Sequence, residues 1–151
     1  MLKVGQKAPD FSLLNQDNVE ISLKDFKGGK VLVWFFTKAS TGGCTREGIG
    51  FNEYLSDFKK ENISIIGISK DSTKAQKNFC LKNDFKFDIL SDIELNVLKS
   101  YKAWGLKKMY GKEYEGILRI SYLIDEEGNI EQSYSKVKTA THASDVLESL
   151  K

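Results

Sequence analysis

Short apolar runs and segments of helical spacing succeed one another along the chain. The runs 31–36 and 63–69 are continuous and rich in β-branched and aromatic residues, which is typical of strands buried on both faces. Apolar side chains at i, i+3, i+4 and i+7 predict a helix over 51–58. The remaining predicted elements are a half-exposed strand at 19–27, a helix at 71–85, a short strand at 88–92, a helix at 93–101, two hairpin strands within 119–134 and a helix at 142–151.

The order of these elements alternates strand and helix before the hairpin. It predicts an α/β fold, in which a mixed central sheet is flanked by helices. In such sheets the functional crevice lies beyond the carboxyl ends of the strands, and the loop after Phe36 is one such end. The length of 151 residues, without repeats or linkers, predicts a single domain over 1–151.

Composition narrows the function classes. Hydrophobic residues make up 40% of the chain, charged residues 29%, and the net charge is +2, as in an ordinary soluble globular protein. The lysines are spread along the chain, so we expect no nucleic-acid partner, and no apolar run approaches the roughly 20 residues of a membrane span. The opening residues lack the apolar core of a signal peptide, which favours a cytoplasmic protein. Two distant cysteines and a single His142 do not have the spacing of a zinc site, so we expect no metal and no cofactor.

Cys44 stands where a reactive thiolate would be favoured. It follows the apolar run 31–36 at the expected start of a helix, whose free N–H groups and dipole stabilise an anion. Gly42 and Gly43 let the backbone wrap closely, and the Thr41 hydroxyl lies within reach of the sulfur. The residues therefore favour a nucleophile, and a small buried apolar side chain is the alternative.

The loop around Cys44, K-A-S-T-G-G-C-T-R-E, resembles the active-site loop of peroxiredoxins, in particular the Q-type (bacterioferritin comigratory protein) group. Further stretches resemble the opening, the second half and the last helix of that family: L-K-V-G-Q-K-A-P-D-F-S-L-L-N-Q-D, A-W-G-L-K-K-M-Y-G-K-E-Y-E-G-I-L-R-I-S-Y-L-I-D-E-E-G and K-V-K-T-A-T-H-A-S-D-V-L-E. The resemblance implies a thioredoxin-like fold. It also implies a thiol peroxidase that reduces hydrogen peroxide and organic hydroperoxides.

The resemblance also implies roles for individual residues. Cys44 falls on the peroxidatic position, whose thiolate attacks the peroxide and becomes a sulfenic acid. Thr41 falls on the threonine that holds the peroxide, and Arg119 on the arginine that favours the thiolate. Gly43 and Glu47 fall in the same pocket, with Glu47 orienting the arginine. Without the resemblance, Arg119 is better explained as an exposed residue at the start of a strand, and Glu47 equally well as a solvated carboxylate.

Thr37 departs from the family pattern, which has proline seven residues before the cysteine. Threonine adds a hydroxyl and an N–H and loses the fixed φ of proline. We therefore expect altered peroxide positioning and a working but slower enzyme. The alternative is a redox-sensing or binding module of the same fold with little peroxidase activity.

Cys80 matches the resolving cysteine of one Q-type subtype, which lies on the following helix about 36 residues after the first. The other subtype places it five residues on, where this chain has Ile49. The implied cycle forms a Cys44–Cys80 disulfide that a thioredoxin-like partner reduces. A half-buried structural cysteine beside Phe79 is the alternative.

Disulfide formation between two helices requires the backbone to move. Four glycines lie around Cys44, and we expect the first turn of its helix to unravel easily: Gly42, Gly43, Gly48 and Gly50. By analogy with Q-type proteins we expect a monomer.

Two other thiol chemistries are disfavoured by the sequence. A cysteine hydrolase would need His142 as its base, and His142 is expected at the surface near a helix start. The Cys-x-x-Cys pattern of thioredoxin-type oxidoreductases is absent.

Overall fold

The two apolar runs lie side by side at the centre of a seven-stranded sheet in the computed structural model, which describes residues 1–151. The strands are β1 (Ser12–Asn15), β2 (Glu20–Ser22), β3 (Lys30–Phe35), β4 (Ile63–Ser69), β5 (Asp88–Ser91), β6 (Trp104–Met109), β7 (Lys112–Ile117), β8 (Ser121–Ile124) and β9 (Ile130–Tyr134). The helices are α1 (Gly42–Glu53), α2 (Leu55–Lys60), α3 (Thr73–Asn83), α4 (Asn96–Ser100) and α5 (His142–Ser149).

The sheet is mixed, with the order β2-β1-β5-β4-β3-β8-β9. In its centre β3 pairs in parallel with β4 and antiparallel with β8, so Val33 lies opposite both Ile66 and Tyr122. Strands β6 and β7 form a separate two-stranded hairpin. This arrangement confirms the predicted α/β class, and it anchors the chain up to the end of β3, a few residues before Cys44 on α1.

The two faces of the sheet are covered by separate apolar clusters. Along β3 successive side chains point to opposite faces, so Phe35 joins one cluster and Trp34 the other. The Phe35 side holds Tyr101 and the residues of α4, whereas the Trp34 side receives α1, α2, α3 and α5. Both cysteines lie on the Trp34 side.

Three parts of the chain differ from the predicted elements. Only Glu20–Ser22 of the predicted strand at 19–27 is a strand; a short 3-10 helix, Leu23–Phe26, follows, started by a capping box between Ser22 and Asp25. The predicted helix at 51–58 is split between α1 and α2 at Tyr54. Strand β1 and the β6–β7 hairpin were not predicted.

No helix in the structure combines the length and the apolar character that crossing a membrane would demand.

Candidate active site

Cys44 is the third residue of α1, and its side chain is completely buried. The chain leaves the carboxyl end of strand β3, and segment 37–41 then turns it into helix α1. Thr41 is the N-cap residue, and its carbonyl accepts the Thr45 N–H at 2.9 Å to close the first turn. The sulfur therefore lies within the first turn, where unpaired backbone N–H groups point towards an anion.

Two side chains contact the Cys44 sulfur directly. Arg119 donates from Nη2 to Sγ at 3.3 Å, and the Thr37 hydroxyl lies 3.4 Å from Sγ. Burial alone would raise the pKa of Cys44. The backbone of Lys38, the hydroxyls of Thr37 and Thr41, and Arg119 outweigh burial and lower this pKa from 9.0 to about 7. Near neutral pH the sulfur is thus thiolate to an appreciable extent.

Thr41 and Gly43 shape the space beside the sulfur. The Thr41 hydroxyl donates its proton to the Lys38 carbonyl at 2.8 Å, and rotation of this hydroxyl would present the proton to another acceptor. A Cβ added to Gly43 would lie 3.4 Å from Nη2 of Arg119. The absence of a side chain at Gly43 therefore leaves the guanidinium close to the helix start.

Arg119 joins Cys44 to a second acidic group. Its Nη1 donates to Oε1 of Glu47 at 2.6 Å, so one guanidinium bridges the thiolate and the carboxyl group. The Glu47 side chain has no exposed surface, which excludes the solvated carboxylate that its sequence position also allowed. Burial raises the pKa of Glu47 from 4.5 to about 7; Arg119 opposes this shift and the nearby Cys44 reinforces it. Oε2 of Glu47 is buried without a hydrogen-bond partner, which also favours the protonated acid.

Cys80 lies on α3 as a free thiol and is only 6% exposed. Burial, followed by the charges of Asp88 and Asp17, raises the pKa of Cys80 to about 12. Cys80 is therefore more buried than the half-buried structural cysteine that was considered as the alternative, and it is a neutral thiol at physiological pH. One apolar cluster thus contains two cysteines whose pKa values are shifted in opposite directions, with the pKa of Cys44 lowered and that of Cys80 raised.

Aromatic packing joins the segments that carry the two cysteines. Phe85, just after α3, packs edge-on against Phe79 with ring centroids 5.0 Å apart. The Phe85 ring also lies against Gly48 of α1, where an added Cβ would come within 2.5 Å of Cζ. Gly48 is thus required by packing, whereas a Cβ at Gly50 would meet Ala143 at an ordinary 3.6 Å.

This geometry can be compared with known proteins. The AhpC/TSA family model matches residues 4–133. Peroxiredoxin Bcp of Escherichia coli K12 is 41% identical over 150 residues, covering 99% of this chain and 96% of that protein. The chain belongs to the AhpC/TSA family and is a peroxiredoxin. The resemblance found in the sequence is therefore confirmed.

Solved structures place this peroxiredoxin in the Q-type group. The bacterioferritin comigratory protein of Xanthomonas campestris superposes with a TM-score of 0.90 at 34% identity, covering 98% of this chain and 97% of that one. A variant of Xylella fastidiosa PrxQ gives a TM-score of 0.93 at 28% identity, with 99% and 96% coverage. These likenesses confirm the thioredoxin-like peroxiredoxin fold.

His142 of the peroxiredoxin is not at the surface, as its polar neighbours had suggested. It is 2% exposed at the start of α5, and its Nε2 shares a hydrogen bond of 2.8 Å with the Ser121 hydroxyl. Burial lowers the pKa of His142 to about 4, so the ring is neutral. Its bond is to Ser121 and its ring packs on Phe51 and Tyr134, so it does not act on Cys44.

Lys107 is a residue near the site that the sequence analysis missed. It lies half-buried on β6 and donates from Nζ to the Ile117 carbonyl at 2.9 Å. Burial and then the charge of Arg119 lower the pKa of Lys107, and the charge of Cys44 acts in the opposite direction. A second cation therefore lies near the thiolate. Gly111, which follows Tyr110 in the turn, was the sequence signal for the hairpin that places Lys107.

Proposed function

We propose that this peroxiredoxin reduces hydrogen peroxide and organic hydroperoxides at Cys44, that Cys80 resolves the product, and that a thioredoxin-like protein recycles the disulfide. The observation that carries the proposal is the Cys44 sulfur at a helix N-terminus, in contact with both Arg119 and Thr37. These contacts favour the thiolate, which is the nucleophilic form of cysteine.

In the first step the Cys44 thiolate attacks one peroxide oxygen. A sulfur–oxygen bond forms and the O–O bond breaks, so Cys44 becomes a sulfenic acid and the departing alkoxide takes up a proton. Arg119 stabilises the charge that moves from sulfur to oxygen. Thr41 and Gly43 border the position of the peroxide, and Glu47 holds Arg119 in place at 2.6 Å.

Thr37 supports catalysis in this proposal. Its hydroxyl lies against the sulfur, so the residue that replaces the family proline adds a hydrogen-bonding group to the pocket. This contact favours the peroxidase over the redox-sensing or binding module that the missing proline had suggested.

In the second step the Cys80 sulfur attacks the sulfenic acid, forms the Cys44–Cys80 disulfide and releases water. Two Xanthomonas campestris peroxiredoxin Q structures carry cysteine-to-serine changes at positions 36 residues apart, which is the spacing of Cys44 and Cys80. Burial raises the pKa of Cys80 to about 12, so the buried thiol is a poor nucleophile. In this proposal the disulfide therefore forms only after local unfolding exposes Cys80. We further propose a cytoplasmic, monomeric enzyme with one domain over 1–151.

Peroxide consumption by the purified protein with thioredoxin and thioredoxin reductase tests the proposal. Cys44→Ser should abolish consumption. Cys80→Ser, the same change in the same apolar cluster, serves as its matched control. It should lose turnover with thioredoxin and still reduce one peroxide per molecule. If the wild type consumes no more peroxide than Cys44→Ser, the sensing or binding module is the better explanation.

A further inference from the structure

Segment 37–41 surrounds the Cys44 sulfur with the donors that favour its thiolate, but the segment has an unfavourable backbone. Ser40 has φ of 65°, in the left-handed region that residues other than glycine rarely adopt. The only internal backbone bond of the turn is a long one, from the Thr41 N–H to the Lys38 carbonyl at 3.4 Å. A turn of this kind persists only when its surroundings hold it in place.

The surroundings supply one strong anchor, on the carboxylate of Asp71. The Ala39 N–H donates to Oδ2 of Asp71 at 2.9 Å, linking the middle of the turn to a residue 32 positions later. The same Oδ2 accepts the Ser69 hydroxyl at 2.6 Å. Asp71 therefore bonds to the backbone of the turn, and it makes no hydrogen bond to the sulfur itself.

Asp71 is itself fixed by a buried network. Ser69 is the last residue of β4 and is fully buried. Its hydroxyl accepts from Nε2 of Gln76 at 2.8 Å, and Gln76 also donates to the Leu90 carbonyl at 3.1 Å. Gln76 is fully buried on α3, one turn before Cys80. The network thus connects the turn around Cys44 with the helix that carries Cys80.

We propose that Asp71 is a positioning residue, which holds segment 37–41 against the Cys44 sulfur through the Ala39 amide. The inference rests on the proposed role of Cys44 as nucleophile. Loss of the carboxylate frees the turn to relax away from its left-handed conformation. The Lys38 backbone and the Thr37 hydroxyl then move away from the sulfur, and the thiolate loses donors.

The sign of the effect distinguishes positioning from simple electrostatics. Asp71 is an anion, so removing its charge alone would lower the pKa of a neighbouring thiol. Loss of the donors would raise the pKa of Cys44 instead. The titratable groups near the sulfur, Arg119, Glu47 and Lys107, are unchanged in the variants, so they do not alter this sign.

The pH profile of Cys44 alkylation by iodoacetamide, followed by mass spectrometry, tests the proposal. The measurement uses the full chain with Cys80→Ser, so that Cys44 is the only thiol. Asp71→Ala should shift the midpoint upward by about one pH unit, which slows alkylation at pH 7 about fivefold. Asp71→Asn should recover most of the rate, because its amide oxygen can accept the Ala39 N–H.

Asp125→Ala is the matched control. The Asp125 carboxylate accepts the Glu127 and Asn129 N–H groups at 3.0 and 2.9 Å, in the β8–β9 turn. Removing it should reduce stability without moving the Cys44 midpoint. An unchanged or lowered midpoint in Asp71→Ala, or an equal rise in Asp125→Ala, would overturn the proposal.

A second variant covers the case in which Asp71→Ala lacks the native circular dichroism spectrum. Ser69→Ala removes the 2.6 Å bond that fixes Asp71 and should raise the same midpoint, and an unmoved midpoint there would also overturn the proposal. If the wild-type midpoint itself lies near 9, the nucleophile premise of the proposed function fails. If it lies near 7 and does not move in the variants, only the role of Asp71 fails.

Discussion

Thr37→Val tests whether the residue that replaces the family proline supports the thiolate. Valine keeps the branched shape of threonine and removes only the hydroxyl that lies 3.4 Å from the Cys44 sulfur. The pKa of Cys44 is lowered from 9.0 to about 7, and Thr37 is one of four donor groups that offset burial. A hydroxyl that donates to the thiolate stabilises it by about 1 kcal/mol more than it stabilises the neutral thiol, which corresponds to about 0.7 pKa units.

The thiolate fraction at pH 7 should therefore fall from about a half to about a sixth, and the reaction with peroxide at that pH should slow about threefold. Thiolate absorbance at 240 nm against pH, with Cys80→Ser, measures the midpoint. Thr37→Ser should restore the wild-type value because it keeps the hydroxyl. Thr45→Val is the control, since Thr45 follows Cys44 directly on α1 and its hydroxyl makes no hydrogen bond in the structure. The reasoning is refuted if Thr37→Val leaves the midpoint unchanged, or if Thr45→Val moves it equally.

Four further substitutions have defined outcomes. Arg119→Met removes the donor at 3.3 Å from the sulfur, and should slow peroxide reduction about tenfold or more in stopped-flow fluorescence; a rate within twofold of wild type contradicts the proposed role. Gly50→Ala should stabilise α1 by about 0.5–1 kcal/mol in urea unfolding and slow formation of the Cys44–Cys80 disulfide several-fold. Gly48→Ala should instead destabilise the fold by about 1–3 kcal/mol, because its Cβ would clash with Phe85, so its disulfide rate would not report on the helix alone. Gly50→Ala is the cleaner test, and an unchanged disulfide rate in this variant counts against local unravelling. Burial raises the pKa of Glu47 from 4.5 to about 7, so folding favours its protonated form, and this contribution is lost as pH rises through 7. Wild type should therefore lose stability relative to Glu47→Gln between pH 5 and pH 7.5 in urea unfolding, and a constant difference would argue against a buried acid.

The central part of the fold could be predicted because its residues carry strong local signals. The β-branched and aromatic runs became β3 and β4, and the segment opening with Asp71 and Ser72 became α3, with the Ser72 hydroxyl accepting the Ala75 N–H at 3.1 Å. The hairpin of β8 and β9 was likewise predicted. In these segments periodicity and capping agree with the tertiary environment.

The β6–β7 hairpin escaped prediction because its strands are largely polar and exposed. Its two-residue turn places Tyr110 at φ of 53° and Gly111 at φ of 76°, as a type I′ turn requires. Glycine alone at the second position is a weaker signal than Asn-Gly. Strand β1 also escaped prediction, because it is only four residues long and its position depends on pairing with β2 and β5.

The resemblance named most of the residues that the structure brings together around Cys44, but not Lys107 and not how deeply the groups are buried. The resemblance brought together Cys44, Arg119 and Glu47, which the structure places in one hydrogen-bonded group. Burial of His142 and Glu47 depends on how α5 and α1 pack, and local polarity carries no information about packing. The Asp71 anchor likewise joins residues 32 positions apart, which no local pattern reveals.

The break at Tyr54 sets how far Cys44 could travel. Phe51 lies near the end of α1 and is fully buried, so it anchors that end in the core. After the break at Tyr54, α2 starts at Leu55 and is anchored separately by its buried Phe58. The seven residue-to-residue steps from Cys44 to Phe51 span about 10 Å as a helix and about 24 Å when extended. Unwinding that stretch alone would lengthen it by about 14 Å, which is the difference between the extended chain and the helix. The Cys44 sulfur could therefore move towards α3 on the unwound segment while Phe51 and the rest of the core stay in place.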